Sequence, residues 1–274
     1  MTRRPDEQAT REEANTLRSG VAQVSPNNLA SASAALPISE TFTSIQGEGK
    51  LTGVPSWFVR LSGCNLRCAW CDTPYASWKP DGGQRSIAAL VDEARASGVR
   101  HAVVTGGEPM IFPACAELTA ALRETGLHVT IETAGTVAPE PIPHADLMSI
   151  SPKLANSMPT ENQAHAGGIE LAWAGRNGRH EQRRINLTAL QTLIDRHPHR
   201  QLKFVVSDRA DLTEIESLLA KLRDWNNDDI LLMPEGVTPP TAAAKAWLTG
   251  ECIRRNWRYC GRLHIELFGN TRGT

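Results

Sequence analysis

Three cysteines lie within eight residues of one another, and their spacing constrains this chain more than any other feature. The segment CNLRCAWC, residues 64–71, has the pattern C-x3-C-x2-C and directly follows an apolar stretch. Thiolates are soft ligands that suit zinc or iron–sulfur clusters, and clusters normally take four protein ligands. Because Cys64, Cys68 and Cys71 supply only three, the pattern predicts a cluster with one iron left open to bind a small molecule.

Two other interpretations of these cysteines stay open: a zinc site completed by a distant His or Cys, and three unrelated buried thiols. A non-catalytic electron carrier or a zinc protein would need a fourth ligand for each metal atom. Cys115, Cys252 and Cys260 are scattered, and we expect reduced structural thiols at these positions. Because the cysteines do not form the spread framework of a small secreted domain, we expect a reducing, cytoplasmic location.

Apolar segments typical of strands alternate with amphipathic segments typical of helices from Ser56 onward. Such alternation implies parallel strands joined by right-handed crossovers. About six strand–helix units predict an α/β fold, namely an incomplete (βα)6-type parallel barrel rather than a closed one of eight. The predicted strands are 57–61, 101–105, 128–132, 146–150, 202–206 and 230–233, and the predicted helices are 86–98, 115–124, 183–196, 211–222 and 241–256.

The division of the chain follows from composition. Residues 1–37 are rich in Ala, Ser, Asn and Arg with little apolar periodicity, which predicts a disordered N-terminal extension. Acidic residues in this extension argue against a transit peptide. Residues 38–274 are predicted to form a single domain. Within it, the glycine-rich segment 155–182 has no clear period and is predicted to be a loop or a variable insertion.

Charge and hydropathy narrow the class of partner. The formal net charge of −1 gives no basic excess, so we predict no nucleic-acid partner. No run approaches the roughly 18 apolar residues that a membrane span needs, so we predict no membrane partner. A small-molecule substrate is therefore expected.

Catalytic groups of parallel barrels come from the C-terminal ends of the strands, so we expect the candidate site residues there. The second predicted strand ends in TGGEP, residues 105–109, where two glycines permit close approach to a ligand and Glu108 offers an acceptor for an ammonium group. Without other motifs such a segment is more often only a turn. The next two strands end in Glu132 and in SPK, residues 151–153, for which the alternative is a solvated loop. Lys203 lies inside an apolar strand and needs a buried partner.

The cysteine loop and the TGGEP segment together resemble the signature of the radical S-adenosylmethionine superfamily. This resemblance implies that Cys64, Cys68 and Cys71 hold a catalytic [4Fe–4S] cluster, with the amine and carboxylate of S-adenosylmethionine on the open iron. It also implies that reductive cleavage of the cofactor gives a 5′-deoxyadenosyl radical that takes hydrogen from the substrate. The residues implied to bind the cofactor are Trp70, Cys71, Asp72, Gly107, Glu108, Glu132, Ser151, Pro152, Lys153 and Lys203, with a buried core tryptophan as the alternative at position 70.

The flanking segments resemble one family within that superfamily. Residues 45–49 (IQGEG), Arg60, the CDT segment at 71–73 and the tail 263–274 resemble the 7-carboxy-7-deazaguanine synthase family. The resemblance is close over residues 43–154, good in the tail and poor in the glycine-rich segment. It implies a lyase of queuosine-type 7-deazapurine biosynthesis that forms a homodimer. The implied reaction converts 6-carboxy-5,6,7,8-tetrahydropterin to 7-carboxy-7-deazaguanine with loss of ammonia.

The same resemblance assigns roles to particular residues. Glu48 is expected to accept hydrogen bonds from the amino-pyrimidine edge of a pterin, with Arg60 as the guanidinium partner of its carboxylate. Thr73 is expected to ligate Mg²⁺ together with the substrate carboxylate, because Mg²⁺ prefers hard oxygen ligands. The residues implied to bind substrate are Ile45, Gln46, Gly47, Glu48, Arg60, Thr105, His264 and the terminal carboxylate of Thr274. The alternatives are a hairpin turn at 46–49 and a frayed terminus at 269–274.

A glycyl-radical-enzyme activating protein is the nearest alternative function. Such proteins share the cysteine spacing and the Gly-Gly-Glu-Pro type of segment, but they act on a protein. They are not expected to carry the IQGEG segment, the CDT segment or a tail that closes a pterin site. We also expect a flavodoxin- or ferredoxin-like electron donor, whose identity the sequence does not give.

Overall fold

The computed structural model describes residues 34–274, and within them nine strands form one sheet. The strands are β1 (Ala35–Ile45), β2 (Pro55–Leu61), β3 (Gly83–Ser86), β4 (His101–Gly106), β5 (His128–Thr133), β6 (Leu147–Ile150), β7 (Arg200–Val206), β8 (Ile230–Pro234) and β9 (Arg258–Tyr259). The helices are α1 (Pro74–Ser77), α2 (Ile87–Ala96), α3 (Cys115–Glu124), α4 (Glu161–Gly167), α5 (Arg179–Arg183), α6 (Leu187–Arg196), α7 (Arg209–Leu219), α8 (Ala242–Arg255) and α9 (Leu263–Phe268).

The sheet is an open parallel barrel, which confirms the predicted fold class. Its strand order is β3-β1-β2-β4-β5-β6-β7-β8-β9, and β2 with β4 to β9 forms the parallel part. The end strands β3 and β9 do not pair with each other, so the barrel does not close. Every residue of β7 and β8 is buried, as expected for strands of a parallel sheet that is covered on both faces.

Two antiparallel strands extend the sheet beyond β2, and the sequence prediction lacks both of them. β1 pairs with β2 on one side and with β3 on the other. Most of β1 is only half-buried, so its apolar signal is weaker than that of the parallel strands. Because β1 begins at Ala35, residues 35–37 belong to the sheet and the predicted extension boundary at residue 37 is wrong. The rest of that extension, residues 1–33, lies outside the described residues.

Two helix predictions and one loop prediction also need correction. Asp208 caps α7, and Asp211 lies inside the first turn, where the two carboxylates form a capping box. The helix predicted over 183–196 begins only at Leu187, with Asn186 as its cap. The segment 155–182 is not simply a loop, because it contains α4 and most of α5, each too short to give a clear apolar period. No helix in the described part of the chain is long and apolar enough to cross a membrane.

A buried histidine at the N-terminal ends of the strands makes stability depend on pH. His101 is 3% exposed, and its ring nitrogens lie 2.6 Å from Ser56 Oγ and 2.8 Å from Thr130 Oγ1. Burial, assisted by the neighbouring His128, lowers the pKa of His101 to about 4. The unfolded chain therefore binds more protons than the folded chain between about pH 6.5 and pH 4.

We expect the free energy of unfolding to fall through this window as the pH falls, with a contribution from His101 of roughly 2–3 kcal/mol. Denaturant titrations at pH 7.5 and pH 4.5 measure the loss. His101→Gln keeps a polar group that does not ionise. Its free energy of unfolding should therefore fall less between pH 7.5 and pH 4.5, by about the contribution of His101. Equal losses in the two proteins would show that His101 does not titrate in this way.

Candidate active site

A cavity of about 630 Å³ opens at the C-terminal ends of the parallel strands. It lies where the turn after each strand projects, so it collects side chains from distant parts of the sequence. The predicted site residues that line it are Ile45, Gln46, Gly47, Glu48, Arg60, Cys64, Cys68, Trp70, Cys71, Asp72, Thr73, Thr105, Gly107, Glu132, Ser151, Lys153, Lys203, His264 and Thr274. Glu108 and Pro152 are the predicted residues that do not line it.

The three cysteines of the 64–71 loop form one wall of the cavity. Burial raises the pKa of Cys64 to about 12 and the pKa of Cys68 still further, so metal cations are needed to hold these sulfurs as thiolates. Gly107 packs against the loop: a Cβ there would overlap the carbonyl of Gly63 and lie 2.7 Å from Cys64 Cβ. The loop is thus an open-sided cradle of soft ligands that fits an iron–sulfur cluster.

This arrangement differs from that of a mononuclear metal site. Within residues 34–274, no three His, Cys, Asp or Glu side chains are grouped to hold a single metal ion. The observation does not conflict with a cluster, because each thiolate of a [4Fe–4S] cluster binds a different iron.

A buried histidine that the sequence analysis did not single out fixes the cysteine loop from behind. His180, in α5, is fully buried, and its Nδ1 accepts a hydrogen bond of 3.1 Å from the backbone N–H of Arg67. Its Nε2 lies 3.0 Å from Ser157 Oγ, whose own backbone carbonyl accepts from Ala69 N at 2.8 Å. Burial lowers the pKa of His180 to about 4, which keeps Nδ1 free to accept. Its position in the segment predicted to be a loop gave no sign of this role.

The carboxylate of Glu108 does not face the cavity, so the prediction that it accepts from the cofactor amine is wrong. Glu108 is fully buried, and its oxygens accept hydrogen bonds from Met110 N at 3.0 Å, from Thr133 Oγ1 at 2.7 Å and from Ala134 N at 2.7 Å. Burial raises the pKa of this carboxyl, against the effect of those hydrogen bonds. Glu108 therefore ties the end of β4 to the end of β5, and the Gly107 backbone is what faces the cavity.

Glu48 lies at the centre of a buried network of charges, and its partners are not the predicted ones. Lys203 donates to one carboxylate oxygen, and Arg262 Nε donates to the other at 2.9 Å. Lys203 Nζ also lies 3.7 Å from Glu132 Oε2, so two protein carboxylates meet its need for a buried partner. Burial alone would raise the pKa of Glu48, but Lys203 and Arg262 outweigh it and hold that pKa far below its usual range.

Arg60 pairs with Glu40 rather than with Glu48, so the expected pairing is wrong. The register of β1 and β2 places Glu40 directly opposite Arg60, and the Nε to Oε1 distance is 2.7 Å. Glu40 also accepts from Tyr75 Oη at 2.8 Å and from Arg272 Nε at 2.9 Å. One carboxylate therefore joins β1, β2, the helix after the cysteine loop and the C-terminal tail.

The C-terminal tail lies across the cavity instead of leaving the fold. The backbone N–H of Leu263 donates to Gly47 O at 2.8 Å, and a Cβ on Gly47 would overlap the ring of His264. Arg272 stacks 4.0 Å from the centre of the Tyr75 ring and pairs with Asp81 at 2.9 Å. These contacts hold residues 270–274 along the rim of the cavity.

The remaining predicted residues lie beside the cysteines. Thr73 caps α1 without using its side chain, and its Oγ1 lies 3.8 Å from Cys71 Sγ. Lys153 Nζ donates to Ser151 Oγ at 2.9 Å and lies 5.5 Å from the centre of the Trp70 ring. The indole N–H of Trp70 donates to Asn156 at 3.2 Å.

Arg262 is the main cavity-region residue that sequence reasoning missed. It donates to Glu48, to Asp72 and to the carbonyl of Gly236, and so joins three segments beside the cavity: the turn between β1 and β2, the end of the cysteine loop and the turn after β8. Its only signal in the sequence is its position directly before the tail, two residues before His264. Nothing local, however, identifies its carboxylate partners.

An open parallel barrel with three cysteines after its first parallel strand and a cavity at the strand ends defines a radical S-adenosylmethionine enzyme. The model of the Radical SAM superfamily accordingly matches residues 58–147. Among named relatives, the 7-carboxy-7-deazaguanine synthase of Rhodopirellula baltica is 44% identical over 91% of this chain and 93% of its own length. That of Halobacterium salinarum is 43% identical over 86% of this chain and 91% of its own length.

A solved structure agrees with these relatives. The crystal structure of QueE from Escherichia coli is similar with a TM-score of 0.62 and 28% identity, over 84% of this chain and 95% of that one. The chain belongs to the 7-carboxy-7-deazaguanine synthase family. As the superfamily implies, its cofactors are a [4Fe–4S] cluster and S-adenosylmethionine.

Proposed function

We propose that this chain converts 6-carboxy-5,6,7,8-tetrahydropterin to 7-carboxy-7-deazaguanine with loss of ammonia, as a step of queuosine-type 7-deazapurine biosynthesis. One observation carries the proposal: a single cavity brings the three cysteines together with Glu48, Arg60, His264 and the tail. The cofactor, when bound, supplies a carbon radical that abstracts hydrogen from the substrate. The protein's own part is to bind and orient the pterin.

Charges at the cavity suit a carboxylated pterin. Glu48 stays ionised because Lys203 and Arg262 stabilise its carboxylate, and an ionised carboxylate accepts hydrogen bonds from an amino-pyrimidine edge. Glu40 engages only Nε of Arg60, and the two terminal nitrogens have no hydrogen-bond partner within residues 34–274. We propose that this free fork donates to the substrate carboxylate.

We propose that Thr73 ligates Mg²⁺ through its hydroxyl. Its side chain has no capping role, lines the cavity and lies beside Cys71, where a substrate carboxylate next to the cluster would share the ion. Mg²⁺ usually keeps several waters and takes few protein ligands, so one hydroxyl is sufficient.

Replacing Thr73 with alanine is expected to raise the magnesium concentration for half-maximal activity by about tenfold, as for loss of one charge-assisted contact. The cluster should form normally, because no cysteine changes. Thr73→Ser keeps the hydroxyl and is the matched control, with a magnesium response close to that of the parent chain. Iron content and initial rate over a magnesium series provide the two readouts. An unchanged response in Thr73→Ala would remove Thr73 from the magnesium site.

Three further proposals concern the setting of the enzyme. We propose a homodimer, as the family resemblance implies, and a sedimentation-equilibrium mass of one chain would contradict it. We propose a flavodoxin- or ferredoxin-like donor for the electron that the cluster needs. We propose a cytoplasmic location, because all cysteines of the described residues are free and cluster assembly needs reduced thiols.

Anaerobic incubation of the reconstituted enzyme with dithionite, S-adenosylmethionine, Mg²⁺ and 6-carboxytetrahydropterin tests the reaction. The expected result is a product with the mass and absorbance of 7-carboxy-7-deazaguanine. Without substrate, slow formation of 5′-deoxyadenosine reports that cluster and cofactor are competent. No deazaguanine acid from such a competent enzyme would overturn the proposed reaction.

A further inference from the structure

Arginines surround one tryptophan directly beside the cysteine loop. The guanidinium carbons of Arg67, Arg183 and Arg179 lie 4.7, 5.2 and 5.8 Å from the centre of the Trp173 ring. Arg176, three residues after the tryptophan, is exposed, as are Arg179 and Arg183. We call these four arginines and Trp173 the arginine patch.

The positive charge of the arginine patch is poorly compensated. Arg179 pairs with Glu170 at 3.1 Å, but both side chains are exposed and such a pair contributes little. The nearby Glu181 is engaged by Arg184, which lies outside the patch. Arg67, Arg176 and Arg183 form no ion pair within residues 34–274. In a chain whose formal net charge is −1, this is a local concentration of positive charge that attracts an anionic surface.

The patch and the cysteine loop are parts of one hydrogen-bonded unit. Arg67 lies between Cys64 and Cys68, and its Nη1 donates to the carbonyls of Cys64 at 2.9 Å and Leu66 at 2.7 Å. Its backbone N–H donates to His180, which lies in α5 between Arg179 and Arg183. A molecule seated on the patch therefore lies against the outer side of the loop that holds the cluster.

The chemical character of the patch is that of a protein-binding surface. Arginine and tryptophan are among the residues most enriched at the few contacts that dominate protein–protein binding. Leu171, 47% exposed at the edge of the patch, adds apolar area. Complexes between electron-transfer proteins bury small interfaces, and opposite charges steer their encounter.

We propose that the arginine patch is the docking surface for the protein that reduces the cluster, a small acidic electron carrier with a flavin or an iron–sulfur centre. The inference rests on the proposed function, because it requires a cluster that needs an electron. One electron leaves the reduced centre of the carrier and enters the cluster, so the carrier is oxidised by one electron and the cluster is reduced by one. A nucleic acid is the other kind of polyanion that arginines attract. Nucleic-acid binding does not require a position beside the cysteine loop. Electron transfer does, because the redox centre of the carrier must come close to the cluster.

A charge-reversal experiment with a purified flavodoxin as the probe tests this docking surface. In the variant Arg176→Glu with Arg183→Glu, both changed residues are exposed, unpaired and outside the cysteine loop. The matched control is Arg100→Glu with Arg223→Glu, which makes the same change in net charge at exposed positions before β4 and β8, at the opposite edge of the sheet. Affinity for flavodoxin is measured by calorimetry or interferometry at low and at moderate ionic strength.

We expect the patch variant to bind flavodoxin at least about tenfold more weakly at low salt, and the control to stay within about twofold of the parent chain. Added salt should weaken binding by the parent chain and should affect the patch variant less. Equal flavodoxin affinity in the parent chain and the patch variant would overturn the proposal. An equal loss in the control would overturn it as well, because the effect would then belong to net charge. The proposal would also be overturned if the patch variant lost binding to a short RNA duplex but still bound flavodoxin as the parent chain does.

Turnover with a chemical reductant separates this proposal from the proposed function. With dithionite, the patch variant should match the parent chain in iron content and product formation, whereas its rate with reduced flavodoxin should fall with its affinity. Failure to make product with dithionite in all three proteins would count against the proposed function alone. A patch variant with normal affinity and normal flavodoxin-driven rate would count against the docking surface alone.

Discussion

Replacing Lys203 with methionine is expected to lower the free energy of unfolding by about 3–5 kcal/mol, as when one partner of a buried ion pair is removed. Lys203 is 4% exposed and lies between the carboxylates of Glu48 and Glu132. Burial alone would lower the pKa of Lys203, but these carboxylates raise it above its usual value, so the group is charged. Methionine fills a similar volume but removes the cation between the two carboxylates, which leaves Arg262 on Glu48 and only the neutral amide of Gln46 on Glu132.

Denaturant unfolding of the cluster-free protein measures this change without interference from cofactor loss. Lys221→Met removes the same group from an exposed position after α7 and is the matched control, with an expected change within about 0.5 kcal/mol. A loss of less than about 1 kcal/mol in Lys203→Met would mean that the charge network contributes little to the fold. Substrate binding would also weaken, because Glu48 would lose a group that keeps it ionised.

Replacing Gly107 with alanine is expected to abolish cluster assembly. The added methyl group would overlap the carbonyl of Gly63 and lie 2.7 Å from both Ala76 O and Cys64 Cβ. Two of these three atoms are backbone and cannot turn away as a flexible side chain does. The loop that carries Cys64 must therefore move, and the three thiols lose the arrangement that fits a cluster.

Iron and sulfide analysis after anaerobic reconstitution measures the effect, with circular dichroism as a check on folding. We expect iron to fall from about four atoms per chain to less than about one. Gly250→Ala is the matched control: Gly250 lies in α8 with open space around it, so the variant should load fully and gain about 0.5–1 kcal/mol of stability. A full complement of iron in Gly107→Ala would contradict the packing described for the loop.

The position of the site can be predicted from the sequence because the parallel topology determines where the strand ends lie. Parallel strands place their C-terminal ends at one edge, so the sequence predicts that the three cysteines, Gly107, Glu132 and Lys153 lie together, and they line one cavity. The antiparallel strand β1 was missed because its half-buried pattern is weak. Without that strand, the cross-strand pair of Glu40 and Arg60 was not predictable.

Charge partners were the least predictable part of the site. Glu48 lies 155 residues from Lys203 and 214 residues from Arg262 along the chain, and no local pattern connects them. For Glu108, the motif correctly identifies the turn after β4, but it does not give the direction of the side chain. Only the tertiary packing shows that the carboxylate points inward to Thr133 and Ala134. Sequence motifs located the strand ends, whereas the direction of each side chain came from tertiary contacts.

The number of product molecules formed per S-adenosylmethionine is the decisive measurement for the proposed ring contraction. The family resemblance also implies that hydrogen returns from 5′-deoxyadenosine at the end of the ring contraction and regenerates the cofactor, so we expect S-adenosylmethionine to act catalytically. With 6-carboxytetrahydropterin in excess and S-adenosylmethionine limiting, we expect several equivalents of 7-carboxy-7-deazaguanine per S-adenosylmethionine, and little net 5′-deoxyadenosine. Absence of the deazaguanine acid, or one 5′-deoxyadenosine released for each turnover, in enzyme with a full cluster would contradict this expectation.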